Sequence, residues 1–329
     1  MVRIVRATEA ELKAAVTALR EGDVVAFPTE TVYGLGANAQ DPKAVRRVFE
    51  LKGRPADHPL IVHLDDARYL HRWAREVPDS ARRLIERFWP GPLTVVLPRT
   101  ESVSDLVTGG QDSVAIRVPS HPMARQLLTS FGGGIVAPSA NRYGRISPTR
   151  PEHVREEFGA AIRIVLDGGE SQIGLESTIV AFDPAGAVQM LRPGHITVSQ
   201  LEAVVGPVTP PGAEHSPVRV PGSTQSHYAP STPMTIVPTD EIDTRAAQSS
   251  AGGQRIAVLA QRLPAHTYSH VTWINASRRP EVYARDLYAN LRILDKAGCA
   301  QILVQDPPHD ERWAAVHDRL RRGAASRAD

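Results

Sequence analysis

The stretch Val24-Val25-Ala26-Phe27-Pro28-Thr29-Glu30-Thr31-Val32-Tyr33-Gly34-Leu35-Gly36 decides how the rest of the chain reads. Four apolar residues make a short buried strand that stops at Pro28. A polar loop follows, with Thr29 and Thr31 on either side of Glu30. Then come an aromatic residue and two flexible glycines, a mixture common beside small ligands. Four further places join an apolar strand to a polar loop. They are Lys52-Gly53-Arg54-Pro55 with Pro59-Leu60-Ile61-Val62-His63, Arg117-Val118-Pro119, Pro138-Ser139-Ala140-Asn141 with Ser147-Pro148-Thr149, and Glu176-Ser177-Thr178-Ile179-Val180. Ligands of open α/β sheets sit at strand ends, so these loops are expected to share one site.

Working outward, Thr8 and Glu11 have the spacing of a capping box for a helix that ends near Gly22. Asp41-Pro42 opens a helix to Leu51. Further helices are expected over 79–88, 121–131, 151–158 and 197–205. Strands are expected at 60–64, 94–97, 114–118, 134–137, 162–166, 178–182 and 188–191. Several of these strands follow one another with no helix between, which predicts a mixed sheet in an α/β domain. Seven prolines between Gly206 and Pro233 exclude continuous helix and central strand there. So long a loop tends to be functional or disordered. Beyond it, strands at 235–237, 256–260, 271–274 and 302–304 alternate with helices at 280–297 and 311–322, predicting a small parallel sheet. The organisation is therefore an α/β domain over 1–205, a Pro-rich linker over 206–233, and a smaller α/β domain over 234–329.

Composition narrows the function classes. Of 329 residues, 38 are Lys or Arg and 36 Asp or Glu, for a net charge of +2. Residues 1–205 carry 24 of each sign, so this part is no basic nucleic-acid module by bulk charge. Cys299 is the one cysteine, which excludes an intrachain disulfide and a Cys-rich zinc site. No apolar run approaches the roughly 18 residues of a membrane span, and Met1–Glu11 has no signal-peptide core. A cytoplasmic protein is expected.

Taken singly, the polar residues leave two readings each. Lys52 and Arg54 suit an oligophosphate, or they compensate a helix C-terminus. Arg117 at an apolar strand end holds a carboxylate or closes a structural salt bridge. His63 is a hydrogen-bonded core residue or a proton carrier. Ser139, Ser147 and Ser177 are turn formers or ligands. There is no phosphate-binding P-loop sequence, and no His, Asp or Glu spacing marks a metal site.

Their wording and order say more. The series PTETVYGLG, KGRP with HPLIVHL, SVAIRVP, PSAN with SPT, LESTIV, LRPG and PG with HYAP strongly resembles the Sua5/YrdC/YwlC family of L-threonylcarbamoyladenylate synthases. The match spans about residues 4–205. Pro221-Gly222 and His227-Tyr228-Ala229-Pro230 followed by an α/β domain are similar to the longer, two-domain Sua5 form.

The resemblance implies a twisted mixed-sheet catalytic domain and a smaller Rossmann-like C-terminal domain. It implies a nucleotidyltransferase that joins L-threonine, bicarbonate and ATP into threonylcarbamoyl-AMP and pyrophosphate. Mg²⁺ would accompany ATP, with no tightly bound organic cofactor. A separate transferase complex would then modify N6 of tRNA adenosine 37, and a weak contact with tRNA is compatible with this. By the same resemblance Thr31, His63, Arg117, Ala137 and Ser177 contact L-threonine. Lys52, Arg54, His58, Ser113, Ser139, Asn141, Ser147, Arg192 and Tyr228 surround ATP. Lys52, Arg54, His63 and Arg117 would carry the catalysis, Tyr228 would fold over the nucleotide, and the metal ligands are left unassigned.

Three positions depart from the family pattern. His58 stands where Asn is common, Asn141-Arg142-Tyr143-Gly144 lacks a usual hydroxyl, and Gly222–His227 lacks basic residues that some members carry. Two rival readings fit the sequence less well. An RNA-binding module of the same fold, without adenylate synthesis, is opposed by the balanced charge. A hydrogenase-maturation carbamoyl-transfer enzyme would need zinc-finger cysteines that this chain lacks.

Overall fold

The computed structural model describes residues 3–6, 8–212, 218–222 and 227–325. The chain divides into two compact units, residues 1–143 with 148–223 and residues 144–147 with 224–329.

The first unit is built on one sheet. Its strands are β1 (Arg3–Arg6), β2 (Val25–Phe27), β3 (Gly34–Asn38), β4 (Ile61–His63), β5 (Leu93–Pro98), β6 (Ser113–Arg117), β7 (Ile135–Val136), β8 (Ile164–Asp167), β9 (Thr178–Phe182), β10 (Val188–Arg192) and β11 (Val208–Thr209). Their order across the sheet is β1-β8-β2-β3-β7-β4-β6-β5-β9-β10-β11. Parallel pairs such as β4/β6 and β5/β9 alternate with antiparallel ones such as β2/β3 and β5/β6, so the sheet is mixed as expected.

Strand residues alternate between two cores. Ala26, Val62 and Ile116 pack into a large cluster with helices Pro42–Lys52 and Asp79–Phe88. Val25, Phe27, Ile135 and Leu166 pack on the opposite face against helices Glu9–Arg20 and Pro122–Phe131. This period of two is what a strand requires when both faces are covered. The helix ends follow their sequence signals. The Thr8 N–H donates to the Glu11 carboxylate at 3.0 Å, and Asp41 accepts from the Lys43 N–H at 2.8 Å.

The structure differs from the sequence reading at several places in this unit. Arg3–Arg6 forms β1 and Asp105–Thr108 a short helix, neither of them expected. Gly34–Asn38 reads as loop yet forms β3, between β2 and β7. Glycine is poor in strands, but here it is a packing requirement: a Cβ on Gly36 would sit 2.7 Å from the Phe27 ring. Val208–Thr209, inside the expected linker, pairs with β10 as the last strand of the sheet. An edge position tolerates the flanking Pro207 and Pro210. Residues 213–217 and 223–226 of the same expected linker lie outside the described residues. Of the rest, Val220 covers a third apolar cluster on the sheet, made by Ile61, Val96, Ala115, Ile179 and Ala181.

The second unit has a four-stranded sheet of β12 (Met234–Val237), β13 (Ile256–Ala260), β14 (Val271–Asn275) and β15 (Gln301–Gln305). The order is β12-β15-β13-β14 and every pair is parallel, as predicted. Helix Ile242–Ala251, which the sequence reading leaves out, connects β12 to β13. Its composition hides it: Ile242 and Ala246 are its buried residues, and the remainder is mostly small or polar. No described helix is long and apolar enough to cross a membrane.

Candidate active site

The first cluster lies at the ends of β2, β4 and β6. His63 and Arg117 are register partners on the parallel strands β4 and β6, so their backbones lie side by side. The loop after β2 brings Glu30 and Thr31 to the same guanidinium. Arg117 Nη1 donates to Thr31 Oγ1 at 2.8 Å, Nε donates to the Gly91 carbonyl at 3.1 Å, and Nη2 lies 2.7 Å from Glu30 Oε1. Thr29 shapes this loop: its hydroxyl lies 2.8 Å from Thr31 Oγ1 and donates to the Val32 carbonyl at 2.6 Å. The sequence marks Glu30 only as part of the loop. Its contact with Arg117 is long-range, so no local spacing announces it.

Electrostatics set the protonation here. Burial alone would raise the Glu30 pKa, but the charge and hydrogen bond of Arg117 hold it below the usual carboxylate value. Burial, with the Arg117 charge second, pushes His63 down to about 3. His63 is therefore a neutral imidazole at neutral pH, and its Nδ1 lies 3.3 Å from the Ile61 carbonyl. Ala137, just beyond β7, donates its N–H to that same Ile61 carbonyl at 3.1 Å.

A second cluster contains Ser177 and Arg192. Ser177 Oγ is 2.7 Å from Thr94 Oγ1, and Arg192 Nη2 donates to Ser177 Oγ at 3.0 Å. Arg192 also donates to the carbonyls of Ser177 and Pro221. The Pro221 contact ties the described part of the expected linker to this cluster. Thr94 adjoins the Val95↔Ile116 pair of β5 and β6, one step from Arg117 across the sheet.

A third cluster sits at the other end of β4. Helix Pro42–Lys52 stops at Gly53, which adopts a left-handed conformation, and the turn carries Lys52, Arg54 and His58. Lys52 Nζ donates at 2.6 Å to the carbonyls of both Ser139 and Asn141. Arg54 donates to the Pro59 carbonyl at 3.0 Å and lies over the Tyr143 ring. His58 packs edge-on against the same ring. Burial and then the Arg54 charge push Lys52 well below its usual pKa, and the same causes lower His58. Ser113, at the start of β6, lies on this side, four residues or about 13 Å of strand from Arg117.

Ser147 and Tyr228 group with the second unit. Ser147 is fully buried. Tyr228 stacks on Tyr288, with Arg319 against its ring, and holds a left-handed φ of 60°. The first unit carries the expected threonine residues Thr31, His63, Arg117, Ala137 and Ser177 and, of the expected ATP residues, Lys52, Arg54, His58, Ser113, Ser139, Asn141 and Arg192. They fall in separate clusters at the two ends of β4, not in the single set of loops at one end that the sequence suggests.

Known proteins share this architecture. Residues 17–194 match the Sua5/YciO/YrdC family profile, which carries the description "Telomere recombination". Residues 196–325 match the profile described as "Threonylcarbamoyl-AMP synthase, C-terminal domain". A threonylcarbamoyl-AMP synthase of Pyrococcus abyssi is 40% identical over 98% of this chain and 96% of its own length. One from Bacillus subtilis is also 40% identical, over 96% of this chain and 94% of its own. The crystal structure of P. abyssi Sua5 complexed with L-threonine superposes with a TM-score of 0.90 at 38% identity, covering 98% of this chain and 97% of that one. This chain belongs to the Sua5/YciO/YrdC family, whose fold it shares. Within that family it has the two-domain architecture that carries the Sua5 C-terminal domain.

Proposed function

We propose that the chain is a threonylcarbamoyl-AMP synthase, condensing L-threonine, bicarbonate or CO₂, and MgATP with release of pyrophosphate. The activated carbamoyl group is destined for tRNA adenosine 37 through a downstream transferase complex, and a cytoplasmic location goes with that role. The observation that carries the reading is Arg117. Nε and Nη1 donate to Gly91 and Thr31 and Nη2 lies 2.7 Å from Glu30 Oε1, and a planar guanidinium with five N–H donors can take a substrate carboxylate beside these partners.

The chemistry needs positioning more than a protein nucleophile. Arg117 holds the threonine carboxylate, and Thr31, His63, Ser177 and the backbone at Ala137 fix the rest of the amino acid. A neutral threonine amine attacks the one-carbon substrate: CO₂ gives a carbamate and a proton released to solvent, and bicarbonate gives a carbamate and water. A carbamate oxygen then attacks the α-phosphorus, and pyrophosphate leaves. Lys52, Arg54 and Arg192 stabilise the negative charge that builds on the phosphates, with Ser139, Asn141, His58 and Ser113 placing the nucleotide. Mg²⁺ arrives on the triphosphate. A group with a pKa of about 3 is too weak a base to deprotonate an ammonium, so His63 serves as a neutral hydrogen-bonding group. Residues 218–222 lie against the sheet beside Arg192, and a linker in that place keeps water from a hydrolysable intermediate.

Incubation with ATP, bicarbonate and each of several amino acids, followed by mass analysis of the adenylates, tests the assignment. Threonylcarbamoyl-AMP should form with L-threonine and depend on bicarbonate. A bicarbonate-independent adenylate, or equal yield from unrelated amino acids, would overturn it.

A further inference from the structure

Outside the proposed site, the second unit brings together three side chains that the sequence separates. Asp306 follows β15, His309 comes after Pro307-Pro308, and His317 lies on helix Ala314–Ala324. One ligand atom from each lies within 4.8 Å of the others. His309 Nε2 is 2.8 Å from Asp306 Oδ2, and His317 Nδ1 is 3.7 Å from Asp306 Oδ1.

The second distance is the informative one. His317 Nε2 donates to the Pro308 carbonyl at 3.0 Å, so Nδ1 is the ring atom turned to Asp306. Nδ1 and Oδ1 face each other at 3.7 Å, beyond hydrogen-bond length, and His317 is buried. A cation fits between two such ligand atoms. In a tetrahedral site with bonds near 2.0–2.2 Å, neighbouring donors are about 3.3–3.6 Å apart; the His317–Asp306 separation of 3.7 Å is close to this, and the hydrogen-bonded His309–Asp306 pair would open by under ~1 Å. The Nε2–Pro308 contact is also the outer-shell bond that metal-ligating histidines usually make. The His309 and His317 rings stack with centroids 4.3 Å apart, which fixes the two imidazoles side by side.

A second, independent feature adjoins these residues. Asp306 and His309 also line a cavity of about 580 Å³, with Thr239, Gln261, Arg262 and Arg278. It lies at the carboxyl ends of β12, β13 and β15, where open parallel sheets place their ligands. The cavity gives an ion a route in and room for water or a small anion to complete its coordination.

We propose that Asp306, His309 and His317 bind one divalent transition-metal ion of the zinc class, leaving a coordination position open to the cavity. Two imidazoles and one carboxylate suit Zn²⁺ or Co²⁺ and not Mg²⁺ or Ca²⁺, which prefer all-oxygen shells. None of the three residues is among those assigned to the nucleotide.

The test uses the untagged full-length chain. Zn²⁺ affinity is measured by competition with a chromophoric chelator, and Co²⁺ is followed by its visible absorption. One equivalent should bind with micromolar or tighter affinity. His309→Ala and Asp306→Asn, both at positions outside the buried core, should each weaken Zn²⁺ at least ~10-fold and abolish the Co²⁺ band. Circular dichroism confirms that the variants are folded. Absence of micromolar binding in the wild type, or unchanged affinity and Co²⁺ spectrum in both folded variants, would overturn the proposal.

Discussion

Glu30 and Arg117 form a buried ion pair, 2.7 Å between Oε1 and Nη2, with each side chain 4% exposed. Removing one partner of such a pair strands the other charge away from water, at a cost of about 3–5 kcal/mol. Glu30→Ala should lower the unfolding free energy by that order in urea titration. Glu30→Gln, which keeps the shape and an acceptor, should lose less. Equal stability of Glu30→Ala and wild type would mean that the pair contributes nothing to the fold.

The same guanidinium is assigned to the threonine carboxylate, and a variant can separate the two roles. Arg117→Ala combined with Glu30→Gln removes the cation without stranding an anion. It should lose threonine-dependent pyrophosphate release while keeping most ATP affinity. Arg117→Lys retains charge but not the two-pronged donor, and should rescue little. If ATP binding falls as far as threonine use, the carboxylate assignment fails.

His63 makes stability depend on acid. An unfolded histidine titrates near about 6.5, whereas burial holds His63 near about 3. The folded state therefore refuses a proton that the unfolded chain accepts between those values. The contribution is complete above the unfolded value and is lost as pH falls towards 3. Glu30, also shifted down, acts in the same direction below its ordinary value. Denaturant midpoints should fall faster with acid for the wild type than for His63→Gln, by up to one proton's worth of slope. Parallel pH profiles would show that His63 is not held neutral.

What the sequence made legible divides along physical lines. Caps, apolar alternation and prolines are local, and they located most helices and strands within a residue or two. Thr8 with Glu11 and Asp41 with Pro42 are examples. β3 was hidden because its identity depends on Phe27 and Ile135, which leave space only for Gly36. Helix Ile242–Ala251 was hidden because so few of its side chains are buried that no apolar stripe marks it. The candidate site was legible as a set of motifs, but its internal pairing was not. Nothing local shows that Glu30 meets Arg117, that Arg192 meets Ser177, or that Asp306 meets His317.

β3 itself yields a packing test. A methyl group on Gly36 would fall 2.7 Å from Phe27 Cε1 and 3.1 Å from Ile135 Cγ2, inside a sheet covered on both faces. Neither neighbour can move without disturbing the core beneath helices Glu9–Arg20 and Pro122–Phe131. Gly36→Ala should cost about 1–3 kcal/mol, read as a lower thermal midpoint. An unchanged midpoint would show that the Phe27 ring yields freely.

Lys52 links protonation to the nucleotide. Burial and the neighbouring Arg54 push its pKa far down, although two carbonyls accept from Nζ. A polyphosphate beside Nζ favours the ammonium and raises that pKa again. MgATP binding should therefore take up a proton when the pH lies between the free and bound values. Affinity should then weaken as pH rises, by up to about tenfold per unit. Calorimetry in buffers of different ionisation enthalpy measures the uptake directly. Lys52→Arg, whose guanidinium stays charged throughout, should bind with less buffer dependence. If wild type and Lys52→Arg show the same buffer dependence with Mg²⁺ in excess, the proton belongs to another group and Lys52 is charged before the nucleotide arrives.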